Sequence, residues 1–240
     1  MHATLLIKNI SWLYTCNKDE EVLQNAYIAL YHDKIIKIGQ DSYKDLLDPC
    51  TRIIDAKGEI VVPGFIDCDF RGSCKELSGD KIREEKNVLY SMYNNGILTV
   101  LSKKREEKSL TQDMLLTNTE PTIPVLSYTD SLHNLSEEKF CLSCGFGRDE
   151  KVQASSLQAI AYDIQRMFCM RPTKILSAMT YYPAQLFGLE DRGSIEVGKN
   201  GDLLILRVAD IESYFRSIGN SCIHRIIKNG IPVFPNIIRC

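Results

Sequence analysis

The chain has 240 residues, of which 44% are hydrophobic and 25% charged, and its formal net charge is −2. Those are globular values for one large domain or two small ones. They give no electrostatic case for nucleic acid or an anionic membrane, and no apolar run approaches the roughly 18 residues of a membrane helix.

From the first residues, Met1-His2-Ala3-Thr4, a strand pattern begins with no basic-then-apolar leader. The nine cysteines are therefore expected to be reduced thiols of a cytoplasmic protein. Thr4–Ile10 alternates as a strand, and Ala26–Tyr31 and Lys34–Ile38 flank His32-Asp33 as a hairpin. A short helix with an Asp or Ser cap is expected over Asp41–Leu47. Arg52–Ile54 and Glu59–Val62 flank a turn at Ala56-Lys57-Gly58.

Beyond Val62 the period changes. Pro63-Gly64 breaks the apolar run, and Phe65 to Phe70 resumes it. A helix is expected over Lys81–Asn95 with Gly96 as its C-cap, then a buried strand over Ile97–Leu101. Ser109 caps a predicted helix through Leu116; Thr122–Tyr128 and Phe140–Phe146 read as strands. Ser155–Met170 carries Leu157, Ile160, Ile164 and Phe168 on one helical face; Pro172 ends it, and Thr173 caps a further helix through Met179. Strands alternating with helices imply parallel βα units. Asp202–Arg207 is an apolar strand and Ala209–Ser217 a short helix. Arg225–Lys228 and Ile231–Phe234 flank Asn229-Gly230, a strong hairpin signal.

Two stretches carry a family resemblance. Pro63-Gly64-Phe65-Ile66-Asp67 resembles the signature that opens the barrel of amidohydrolase-superfamily metal hydrolases, where a His-x-His pair follows. The longer run from Arg171 through Tyr182-Pro183-Ala184 and Gly188-Leu189 to Gly193-Ser194-Ile195-Glu196-Val197-Gly198-Lys199 and Asp202 is similar to that family's closing segment. Tyr214-Phe215, Gly219-Asn220 and Ile226 to Gly230 resemble the imidazolonepropionase branch in particular.

The resemblance implies an α/β fold: a TIM-barrel-like core of parallel βα units inserted in a small composite β-sandwich made by both termini. Residues 1–62 and 192–240 would form the sandwich and 63–191 the barrel remnant. That insert is far shorter than the roughly 200 to 250 residues of a full barrel. Four barrel strands are expected: Ile60–Cys68, Ile97–Leu101, Thr122–Tyr128 and Phe140–Phe146. The barrel is therefore read as truncated. An open sheet of this kind needs cover, which a homodimer completing the half-barrel would supply.

The chemistry implied by the family departs from its pattern here. Members hold divalent metal on histidines and shuttle protons on a last-strand Asp. In this chain Asp69 and Arg71 stand at the His-x-His positions, and Gly145 stands where the catalytic Asp belongs. Arg71 is a fixed cation where a metal would sit. The remaining candidate catalytic residues are Asp69, Asp149 and His133, the one histidine in the barrel part. Cys68 and Cys74 follow the first barrel strand, and Cys141 and Cys144 lie on the last. If these four thiols converged they would suit zinc. Residues three apart on a straight strand face opposite sides, which opposes that arrangement, and buried apolar thiols are the other reading. The first functional reading is a catalytically inactive binding or interaction module with no cofactor and an unidentified small-molecule ligand. The alternative is a zinc-dependent hydrolase of C–N bonds in cyclic amides, using ligands such as Asp69, Cys68, Cys144 and Asp149. A third is a structural subunit that completes a partner's barrel.

Overall fold

The computed structural model describes residues 1–72, 79–103, 112–117, 120–128, 130, 139–148 and 154–233. Both ends of the chain build one eight-stranded sheet. Its strands are β1 (Leu5–Tyr14), β2 (Val22–Tyr31), β3 (Lys34–Gly39), β4 (Arg52–Asp55) and β5 (Ile60–Pro63) from the first part. The alternation read as a strand to Ile10 runs four residues further, past a bulge at Asn9, where φ is +57° and the β1–β2 register shifts. β4 and β5 flank the expected turn without pairing with each other; both lie parallel along β1. The helix expected over 41–47 is only a 3₁₀ turn at Lys44–Leu46 without a side-chain cap.

The chain then leaves this sheet at Gly64, whose N–H still bonds to Asp202 O at 2.8 Å. β6 (Phe65–Phe70), β7 (Ile97–Ser102) and β8 (Asp113–Leu116) form a parallel three-stranded sheet, with α1 (Gly79–Asn94) between β6 and β7. β8 replaces the helix expected through Leu116. The three-residue apolar run Met114–Leu116 did not specify helix or strand, and tertiary pairing to β7 decided it. β9 (Val125–Leu126) and β10 (Cys141–Leu142) are a parallel pair, far shorter than the strands expected at 122–128 and 140–146. A turn in which Asp130 accepts from Ser127 N–H ends β9. A positive φ at Gly145 follows β10. β10 lies beside β6, where Arg71 N–H reaches Phe146 O at 2.9 Å. The described barrel strands are thus five, in two groups; Ile60–Pro63, counted above with the first, belongs to the terminal sheet.

α2 (Gln158–Phe168) and α3 (Pro172–Met179) follow, and Pro172, not Thr173, opens α3, where its missing N–H costs nothing. α4 (Tyr181–Leu186) leads through the Gly193–Gly198 turns into β11 (Leu203–Leu206), α5 (Ile211–Arg216), β12 (Ile223–Lys228) and β13 (Ile231–Val233). The β12–β13 turn has positive φ at both Asn229 (51°) and Gly230 (73°), as a type I′ hairpin requires.

β11 lies antiparallel to β5, pairing Leu204 with Val62 and Leu206 with Ile60, and so joins the two ends of the chain. Both strands are buried on both faces. Leu203, Ile205, Ile227 and Val61 fill the sheet's own curled core with Ile7, Ile28 and Ile35. Ile60, Val62, Leu204 and Leu206 face the α/β part, packing with Phe65, Leu98, Met92, Ile164 and Leu176. At about 1.5–3 kcal/mol for each fully buried aliphatic side chain, this junction is a main source of cohesion. The opposite face of the barrel strands, with Ile66, Cys68, Leu101 and Cys141, packs against Ala184, Leu186, Phe187 and Leu189. In a closed barrel, strand side chains fill that space; here they share it with α4 and the residues after it.

Candidate functional site

The carboxyl ends of the barrel strands gather the polar side chains. β6 loses its regular register after Asp67, pairing Asp67 with Val100 and then Phe70 with Ser102. That irregularity lets both Cys68 and Asp69 reach one cavity. Asp67 itself is fully buried. It accepts from Cys144 N–H (2.6 Å), Ser143 Oγ (3.0 Å) and Asp69 N–H (3.1 Å), tying β6 to the end of β10. Burial pushes its carboxyl above the usual range, against the pull of those donors.

Asp69 is held by two guanidinium groups. Arg71 donates to it through Nε and Nη2, each at 3.0 Å. Arg148 donates through Nε to the same carboxylate, through Nη1 to Asp130 (2.7 Å) and Ser127 Oγ (3.1 Å), and through Nη2 to Val125 O (3.2 Å). Burial raises the Asp69 carboxyl, but the two arginines outweigh it and hold the group below the usual range. Beside this cluster lies a cavity of about 90 Å³, with Lys103, Thr117, Glu120 and Phe187 on its other walls.

These residues do not fit a divalent metal. Both oxygens of Asp69 are engaged by arginine, and two fixed positive charges surround them. Among the described residues no three His, Cys, Asp or Glu side chains are grouped to hold an ion.

Of the four candidate thiols, the structure brings Cys68 and Cys141 together and sets Cys144 apart. Cys68 and Cys141 lie in the inner core and Cys144 in the outer one, on opposite faces, as a spacing of three on a strand dictates. Cys68 is pushed well above the usual thiol range by its hydrogen bond with Cys141 and by burial; burial does the same to Cys144. Both effects oppose the thiolate a metal needs. His133, Asp149 and Cys74 lie outside the described residues. Gly145 has φ +66°, and a Cβ there would sit 2.8 Å from Ser127 Cβ, so the position has no room for an aspartate.

Sequence reasoning missed Arg148 and Asp130, and also a second cluster at the amino ends of the same strands. The Lys228 side chain is 0% exposed and donates to Asp113 (2.8 Å) and Asp202 (2.7 Å). Arg192 donates to Asp113 (2.8 Å), Thr99 Oγ1 (3.0 Å) and Asp191, holding the Asp191 carboxyl down at about 2. The Asp that opens β11 and the Lys that closes β12 were the available signals: opposite charges at the ends of two apolar strands.

The fold and this geometry define a class: parallel βα units of barrel type carried on a composite sheet of both chain ends. The Amidohydrolase family model matches residues 125–233. An imidazolonepropionase from Caldanaerobacter subterraneus subsp. tengcongensis is 42% identical over 77 residues, covering 28% of this chain and 18% of that protein. A 5-methylthioadenosine/S-adenosylhomocysteine deaminase from Acetivibrio thermocellus is 41% identical over 64 residues, 26% of this chain and 14% of that one. The matched stretch thus spans less than a fifth of either relative. The crystal structure of an enamidase, a member of the amidohydrolase superfamily, superposes with a TM-score of 0.69 at 13% identity, covering 96% of each chain. Over residues 125–233 the chain is thus similar to amidohydrolase-family proteins, imidazolonepropionase among them.

Proposed function

We propose that this protein is a catalytically inactive amidohydrolase that keeps a truncated scaffold as a binding or interaction module in the cytoplasm. The observation that carries this reading is the Arg71–Asp69–Arg148 cluster, in which guanidinium groups occupy the neighbourhood of the family's first-strand metal ligands. A hydrolase of this kind needs a metal to make hydroxide from water near neutral pH. Here the only carboxylate at the family's His-x-His positions is neutralised by arginine instead. No helix among the described residues is long and apolar enough to cross a membrane.

A second copy of the chain is the partner this reading favours. α4 covers the inner face, so the case for pairing rests on the edges of β8 and β9, which have no further ladder partner among the described residues. Light scattering that reads one chain mass, unchanged on dilution, removes the dimer from the reading.

The functional claim is tested by offering the purified protein imidazolone, hydantoin and dihydropyrimidine rings, with and without added zinc. No turnover is expected. Turnover that Asp69→Asn abolishes overturns the reading.

A further inference from the structure

The cavity at the carboxyl ends of the strands has a donor and acceptor balance of its own. Among the described lining residues, Arg71, Lys103 and Arg148 are cations and Asp69 and Glu120 carboxylates, with Asp130 paired to Arg148 behind them. Arg148 is 16% exposed and spends all three guanidinium nitrogens on Asp69, Asp130, Ser127 and Val125. It is a strut. Arg71 is 50% exposed and spends Nε and Nη2 on Asp69, leaving Nη1 uncommitted among the described residues. Lys103 is 49% exposed and, among the described residues, donates once, to a Glu120 carboxylate that is itself 80% exposed. An exposed pair of that kind contributes little, so Glu120 yields readily to a better-placed anion. On the acceptor side, both oxygens of Asp69 are already taken. The cavity is therefore rich in donors and poor in acceptors.

Its size and floor narrow the occupant. A cavity of about 90 Å³ holds a few waters or the head of a small anion. Leu101, Val125 and Phe187 line the remainder, and apolar walls strengthen charge contacts by excluding water.

We infer that Arg71 and Lys103 together bind a small oxyanion in this cavity, the carboxylate or phosphate group of a metabolite, with Arg148 holding Asp69 and the strand ends in place around it. The inference rests on the metal-free reading above and gives that binding module its ligand class. Nη1 of Arg71 and the two spare protons of Lys103 supply the donors, and the displaced Glu120 returns to solvent.

Isothermal titration calorimetry at about 10 mM ionic strength, where surface charges are least screened, uses inorganic phosphate and acetate as probes and chloride as the control. Saturable single-site binding of phosphate, acetate or both is expected, and which of them binds names the source of the oxyanion. Lys103→Gln removes a half-exposed side chain and should fold normally; it should weaken binding about tenfold, as loss of one charge-assisted contact does. Arg71→Lys keeps the charge, loses the fork and should also weaken it. No saturable heat from either anion, or an unchanged affinity in Lys103→Gln, overturns the inference. Metal content and ring hydrolysis measured on the same preparation separate the two claims. Absent anion binding without metal or turnover defeats only the ligand assignment, whereas bound zinc with turnover defeats the reading beneath it.

Discussion

In the terminal sheet, β5 and β11 are hydrogen-bonded to neighbours on both sides and buried on both faces, so apolar side chains and backbone ladders fix each other's register. At the carboxyl ends of the barrel strands, β9 and β10 pair over two residues each, and side chains bridge what the backbone does not. There Asp67 clamps β6 to Ser143 and Cys144, and Arg148 links Asp69 on one strand to Asp130 and Val125 on another. The first region is specified by patterns that repeat along the chain. The second depends on single charged residues far apart in sequence, and it can change its chemistry without losing the fold.

This contrast can be broken most severely from the sheet side. A chain ending at residue 191 loses β11 to β13, stripping β5 of its antiparallel partner and exposing Ile60 and Val62. It should be insoluble or unfolded. A soluble monomer that melts cooperatively would mean the two chain ends are not one folding unit.

Next in size is Lys228→Met. It leaves Asp113 and Asp202 buried with Arg192 as the remaining cation on Asp113, and removing one partner of a buried pair costs about 3–5 kcal/mol. Urea denaturation measures it. A loss below 1 kcal/mol would mean the charge network does not hold the sheet to the barrel strands.

The smaller effect belongs to the upper region. Gly145→Asp restores the residue type that the family resemblance calls for, but it meets Ser127 and a positive φ that costs a non-glycine residue roughly 1–2 kcal/mol. The variant should lose at least that much stability and gain no activity. A stable variant that turned over a cyclic amide would show that only one residue separates this site from catalysis.

The legibility of the two regions follows the same division. Apolar runs flanking His32-Asp33 placed β2 and β3, and Asn229-Gly230 placed the last hairpin, because these signals are local. β8 was misread as helix because a short apolar run carries no period of its own, and the burial of Asp113 against Lys228 is invisible from neighbouring residues. At the site, Asp69 and Arg71 were legible as departures from a known signature. Arg148 was not, since its partner Asp69 lies 79 residues away and only the fold brings them together. The cysteines illustrate the remaining limit: strand geometry already opposed their convergence, and Cys141 and Cys144 do face different cores.

The central claim is that arginine stands in the place of a metal. Elemental analysis of the protein, purified without chelators from cells grown with added zinc, iron and manganese, tests it most directly. The account predicts far less than one equivalent of any divalent metal per chain, unchanged when Asp69 is replaced by asparagine. Near-stoichiometric zinc, iron or manganese that disappears in Asp69→Asn would contradict it.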